Sequence, residues 1–226
     1  MHFLILGGSG RTGRLVIEEA LQRGHTITAL VRDASSLAAR EGLTVTTGTP
    51  LSQSDIEDAI KASRDVPSAV IVTLNSLRAS DNPFSAPVSP PLMMTDCNVN
   101  AMAAMSKFGI RKLVVLQAIG TAASRRNVFW PMRLVMNYSG MRRGMDDHDA
   151  TDREVRARGA LDLDFGFVMV RPVMLVEGEK KPLRFWGDDG DGAGCMPSVT
   201  RTSVAGFLLD VAETDERNGS TPVISN

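Results

Sequence analysis

The chain has 226 residues, 43% hydrophobic and 23% charged, with 25 basic against 26 acidic side chains and a formal net charge of -1. That length and balance describe an ordinary α/β domain able to bury a sizeable core, and give no electrostatic ground for a nucleic acid or an anionic membrane as partner. Cys97 and Cys195 are far apart and lack CxxC or Cys/His spacing, so they build no zinc site and are expected as two reduced thiols.

Apolar residues 1–6 are cut off by Gly7 and Gly8, too short a run for a signal-peptide core or a membrane span, which points to a cytoplasmic protein. Residues 2–6 are a strand and 12–23 a helix with Leu15, Val16, Ala20 and Leu21 on one face, closed by Gly24. Strands follow at 26–31 and 43–47, a helix at 52–62 with Ser52 or Ser54 as its N-cap, and a strand at 68–74. Strands alternating with helices predict a Rossmann-type, doubly wound parallel sheet in one domain spanning 1–226.

Residues 75–91, with Pro83, Pro87, Pro90 and Pro91, break the rhythm as a surface loop. A helix at 95–108 ends at Gly109, and a strand at 112–116 leads into an irregular stretch, 118–137. A helix at 146–158, a strand at 164–170, a helix at 203–213 and a strand at 223–225 complete the chain. Loops near 75–95, 118–145 and 174–200 are expected on the substrate side, with small C-terminal elements covering it.

Gly7, Gly10 and Gly13 stand between the first strand and the first helix at GxxGxxG spacing. Gly7 permits the turn out of the strand, Gly10 lets backbone approach a diphosphate, and Gly13 allows the helix to pack on the sheet. The helix N-terminus, with Arg11 and Thr12, then offers N–H groups and partial positive charge to phosphates. At the end of the second strand an acid would bind the ribose hydroxyls; Leu30-Val31-Arg32-Asp33 instead puts an arginine first, as a 2′-phosphate requires. The expected cofactor is NADP(H), held by Arg32 with Arg11 as a second cation.

These residues, Gly7-Gly8-Ser9-Gly10-Arg11-Thr12-Gly13 followed by Val31-Arg32-Asp33, resemble the atypical short-chain dehydrogenase/reductase superfamily, in its NmrA-like and flavin reductase (biliverdin-IXβ reductase) branch. The Val70-Ile71-Val72 and Lys112-Leu113-Val114-Val115 strands, Asp146-Asp147-His148, Val170-Arg171-Pro172 and Thr202-Ser203-Val204-Ala205 extend the likeness. The resemblance implies that Thr73, Leu74 and Asn75, then Gln117 and Ala118, then Pro172 and Val173 surround the nicotinamide. Two departures stand out. Gly48-Thr49 replaces the Gly-Asp of many relatives, and the Tyr-x-x-x-Lys positions carry Gly144 and His148.

His148 and Tyr138 are the candidate catalytic groups. Imidazole exchanges protons near neutral pH, although Asp146-Asp147-His148 also suits the opening of a helix, where acids are stabilising. Tyr138, the single tyrosine, forms a Tyr-x-x-x-Arg with Arg142, and a packing role in a lid is the simpler expectation for it. Phe129, Trp130 and Met136 are candidates to line a planar pocket. Asp188-Asp189-Gly190-Asp191-Gly192 lacks the closing acid of a calcium loop, and no metal site is expected. The expected activity is an NADPH-dependent reduction of a small aromatic or conjugated carbonyl, quinone or flavin-like acceptor by a monomer or homodimer. A non-catalytic NADP(H)-sensing regulator and a redox-neutral isomerase or cyclase are the alternatives.

Overall fold

Along the first strand, β1 (His2–Leu6), every residue is buried, because alternate side chains serve opposite faces of a sheet covered on both sides. The computed structural model describes residues 1–80 and 82–226. β1 is followed by β2 (Thr26–Val31), β3 (Leu43–Thr47), β4 (Ala69–Val72), β5 (Lys112–Leu116) and β6 (Gly166–Pro172). With β7 (Met174–Val176), β8 (Arg184–Phe185), β9 (Ser198–Thr200) and β10 (Val223–Ser225), the main sheet runs β3-β2-β1-β4-β5-β6-β10-β8, while β7 and β9 form a separate pair. All neighbours in the main sheet are parallel except β8, which lies antiparallel to β10 at the edge. Strand order reverses between β1 and β4, opening a crevice at their carboxyl ends.

The helices are α1 (Arg11–Gln22), α2 (Gln53–Ala62), α3 (Met93–Phe108), α4 (Trp130–Tyr138), α5 (Arg142–Leu161) and α6 (Arg201–Glu213). Phe3 and Ile5 pack with Val16, Ile17 and Ala20 of α1 and Val204, Leu208 and Val211 of α6. Leu4 and Leu6 pack on the opposite face with Ile56 and Ile60 of α2, Ala101 and Met105 of α3, and Val155 of α5. Each face therefore has its own apolar core, as a doubly wound sheet requires.

Local chemistry sets several boundaries as expected. Ser52 caps α2 by accepting from the Asp55 N–H, and Gly109 closes α3 in the left-handed conformation. β4 and β6 run 69–72 and 166–172 rather than 68–74 and 164–170, and three regions differ more. The stretch 118–137 contains a 3-10 turn, Ala122–Asn127, and the whole of α4 but Tyr138; Pro131 sits in the first turn, where its missing N–H has no partner to lose. α5 begins at Arg142 rather than Asp146, immediately after a break at Ser139 and Gly140. A Cβ on Gly140 would stand 2.0 Å from the Ser85 carbonyl oxygen, so only glycine lets the two segments meet. Within 174–200, β7, β8 and β9 are pieces of two or three residues, too short to show a period.

Cys97 and Cys195 are free thiols, the first buried and the second exposed. Among the described residues no helix is long and apolar enough to cross a membrane, and no cluster of three metal-ligating side chains occurs.

Candidate functional site

The glycine loop leaves β1 through Gly7, whose φ of +93° is left-handed, and a Cβ there would meet the Thr73 carbonyl carbon at 2.9 Å. Gly13 is constrained by proximity: its Cβ would lie 2.2 Å from the Gly7 oxygen, so α1 reaches the loop only because that carbon is missing. Gly10, the N-cap of α1, has no side chain to satisfy the first helical N–H groups, and its own N–H donates to the Gly7 oxygen at 3.0 Å. Thr73 Oγ1 donates to the same oxygen at 3.1 Å, tying the end of β4 to the turn. The result is a bare backbone concavity at a helix N-terminus, flanked by exposed Arg11 and buried Thr12.

Arg14 holds this loop against its neighbour: Nε donates to the Ser9 oxygen at 2.9 Å and Nη2 to the Ser36 oxygen at 2.6 Å. Arg32 is exposed just beyond β2 and forms no ion pair among the described residues. Its neighbour Asp33 is engaged elsewhere, accepting from the Ser35 hydroxyl at 2.8 Å and the Ser35 N–H at 2.9 Å. Those two donors, the hydroxyl first, hold its carboxyl below the usual carboxylate range. At Gly48-Thr49 an acid is supplied from α2 instead, where Asp55 Oδ2 accepts from the Thr49 N–H at 2.8 Å.

At the ends of β4 and β5, Leu74, Met94, Asn98, Gln117, His148 and Thr151 close around a gap too small to admit a water molecule. His148 Nδ1–H donates to Gln117 Oε1 at 2.7 Å. Burial pushes the imidazole down to about 4, with Asp147 opposing and Arg171 reinforcing the shift, so the ring is neutral at neutral pH. Gln117 Nε2 and Asn98 Oδ1 are buried there without a partner. Asn75 is exposed and Ala118 half-buried at the rim, while Pro172 and Val173 are buried at the end of β6. The Ile119 N–H donates to the Pro172 oxygen at 3.1 Å, joining the β5 and β6 ends.

The Asp146-Asp147-His148 run lies one turn inside α5, so these acids do not open that helix. Asp147, 1% exposed, serves α3: its two carboxylate oxygens each accept a backbone N–H, from Met94 and Thr95, at 2.9 Å. Asp152 accepts from the fully buried Arg171 at 2.5 Å, anchoring α5 to β6.

Tyr138 is 79% exposed at the end of α4, and Arg142 belongs to the next helix, so their spacing does not place them on one helical face. Trp130 and Phe129 are exposed, whereas Met136 packs beside Gly120. Arg14, Asn98 and the capping role of Asp147 escaped the sequence. Arg14 lies four residues past Gly10 on the loop-facing side of α1, a weak signal; the partners of Asn98 and Asp147 are set by tertiary packing.

A family model described as NAD(P)H-binding matches residues 7–215. A 3-diazoavenalumate denitrifying reductase from a Streptomyces species is 32% identical over 125 residues, covering 55% of this chain but 40% of that protein. Among solved structures, the anaerobilin reductase ChuY from Escherichia coli O157:H7 superimposes with a TM-score of 0.74 at 16% identity, covering 100% of this chain and 97% of that one. A putative epimerase from Bacteroides thetaiotaomicron gives 0.73 at 17% identity, covering 99% and 96%. At these identities the structural likeness shows the fold.

Proposed function

The chain belongs to the NAD(P)H-binding family and fits its atypical short-chain dehydrogenase/reductase, NmrA-like group, and from that premise we propose that it is a cytoplasmic NADPH-dependent reductase of a small aromatic or conjugated carbonyl, quinone or flavin-like acceptor. The observation that carries the reading is the uncapped N-terminus of α1, bared by Gly7, Gly10 and Gly13. The backbone there, with Arg11 and Thr12, receives a diphosphate, and Arg32 receives the adenosine 2′-phosphate. Thr73, Leu74, Asn75, Gln117, Ala118, Pro172 and Val173 flank the nicotinamide end. When bound, the cofactor supplies hydride to the acceptor.

The chain's own residues orient the acceptor and exclude water. His148, neutral and committed to Gln117 through Nδ1, fixes which end of the carboxamide is free. Gln117 Nε2, buried and left without an acceptor, is the donor assigned to the group being reduced once the closed gap around it opens to the substrate. Tyr138, exposed on α4, shapes the entrance to the site. The relative named as a denitrifying reductase supports a reductive activity, although the match spans less than half of its length.

The test is loss of NADPH absorbance with a panel of quinones, flavins and enones. Consumption with at least one acceptor is expected; a protein that binds NADPH and reduces none contradicts the reading. The neutral, buried state of His148 also supports a second reading, a protein that senses NADP(H). Equal affinity for oxidised and reduced cofactor would exclude a sensor of redox ratio.

A further inference from the structure

Between the loop that precedes α3 and the start of α5, the surface opens into a cleft of about 390 Å³ lined by Pro87, Ser139, Gly140, Arg142, Arg143 and Asp146. Its shape depends on the close approach of Gly140 to the Ser85 and Pro83 carbonyl oxygens, which a side chain at 140 would force apart. The cleft and the group of residues at the strand ends share helix α5. Gly144, one helical turn before His148, lies against Ser76, and a Cβ on it would be 3.6 Å from the Ser76 Cβ. Ser76 is two residues beyond Leu74, which lines the gap at the strand ends with His148.

Among the described residues, the positive charge lining this cleft is only partly neutralised. Arg142 approaches Asp146 only to 3.7 Å, with both side chains more than half exposed. Arg143 is exposed and forms no ion pair among the described residues. The Arg78 backbone pairs with that of Pro87, which lines the cleft. Two guanidinium groups thus share one carboxylate in the lining, and a guanidinium fork can take a second carboxylate in bidentate geometry. Exposed aromatic residues adjoin the cleft in the chain: Phe84 stands between Pro83 and Ser85, and Tyr138 precedes Ser139. Phe84 is 71% exposed, and Trp130, Leu134 and Tyr138, four residues apart along α4, are 62%, 48% and 79% exposed. Single exposed hydrophobes need no explanation, but a run of them beside a cationic cleft describes one ligand with two ends.

We propose that this cleft binds the carboxylate of the substrate, so that the acceptor is an aromatic carboxylate: its ring lies along these exposed apolar residues and its anion meets Arg142 and Arg143. The proposal rests on the reductase reading for the word substrate, but the anion site is tested without turnover.

The probes are 2-naphthoate and 2-naphthamide, which share a ring system and differ in charge, titrated by quenching of tryptophan fluorescence in the NADP-loaded protein. Naphthoate is expected to bind about tenfold more tightly than the amide, the scale of one charge-assisted contact, with the preference shrinking as salt rises. In the double variant Arg142→Gln/Arg143→Gln the two affinities are expected to converge to within about twofold, while Arg143→Lys, which keeps the charge, retains part of the preference. Circular dichroism melting of each variant checks that the fold is intact. Equal affinities in the parent, failure of both probes to bind, or an unchanged preference in the double variant would each overturn the proposal. A naphthoate preference without NADPH consumption leaves the anion site standing and removes the reductase reading. Consumption with neutral quinones and no preference does the reverse.

Discussion

Arg32 leaves the end of β2 with its guanidinium exposed while Asp33 turns back onto Ser35, so the arginine is not occupied by its nearest acid. Arg32→Ala is expected to weaken NADPH by about 1.5–3 kcal/mol, the range of a hydrogen bond to a charged group, and to leave NADH almost unchanged. Calorimetric titration of both cofactors measures this, and an unaltered NADPH affinity contradicts the assignment. His148 makes a prediction in pH. Its folded value is depressed from 6.5 to about 4, so the neutral ring is the native form. The stability this contributes is fully present above pH 6.5 and is lost as the pH falls from there through 4, by on the order of 3 kcal/mol at about 1.4 kcal/mol per pH unit. Urea unfolding at pH 7 and pH 4.5 should therefore show a smaller drop for His148→Gln than for the parent. Equal drops would mean that the imidazole is not held neutral.

Elements record how far local chemistry carries. Ser52, Gly109 and the glycines from 7 to 13 act on residues within a few positions, and the boundaries they set were readable in the sequence. The stretch 118–137, which holds Pro131, was read as irregular, because composition does not say whether a proline stands inside a helix or at its first turn. Asp147 was recognised as an acid suited to a helix N-terminus, but the helix it serves begins 54 residues earlier in the chain, and only packing of α5 on α3 brings them together. Asp147→Ala removes both acceptors from the start of α3, where Leu92 at the N-cap offers none. A loss of about 1–3 kcal/mol is expected, the cost of leaving buried donors unpaired, with slower or weaker protection of the Met94 and Thr95 amides in hydrogen exchange. Unchanged protection would show that solvent or another group replaces the carboxylate.

Across the whole molecule, the two-sided sheet places the candidate cofactor groups at the strands' carboxyl ends: the glycine turn after β1, Arg32 after β2, Thr73 to Asn75 after β4, Gln117 after β5 and Pro172 at the end of β6. That convergence follows from parallel strands, which share one carboxyl end, and from the reversal of strand order beside β1. The glycine turn was legible because its demands are backbone demands that glycine spacing records. The substrate side was less so, since α4, Gly140 and the cleft depend on contacts between segments about 55 residues apart. The most direct measurement is a crystal structure of the protein grown with excess NADP. Diphosphate density against the first turn of α1, over Gly10, with the 2′-phosphate beside Arg32, is the predicted result; a crevice empty at saturating cofactor, or filled by the chain's own side groups, contradicts it.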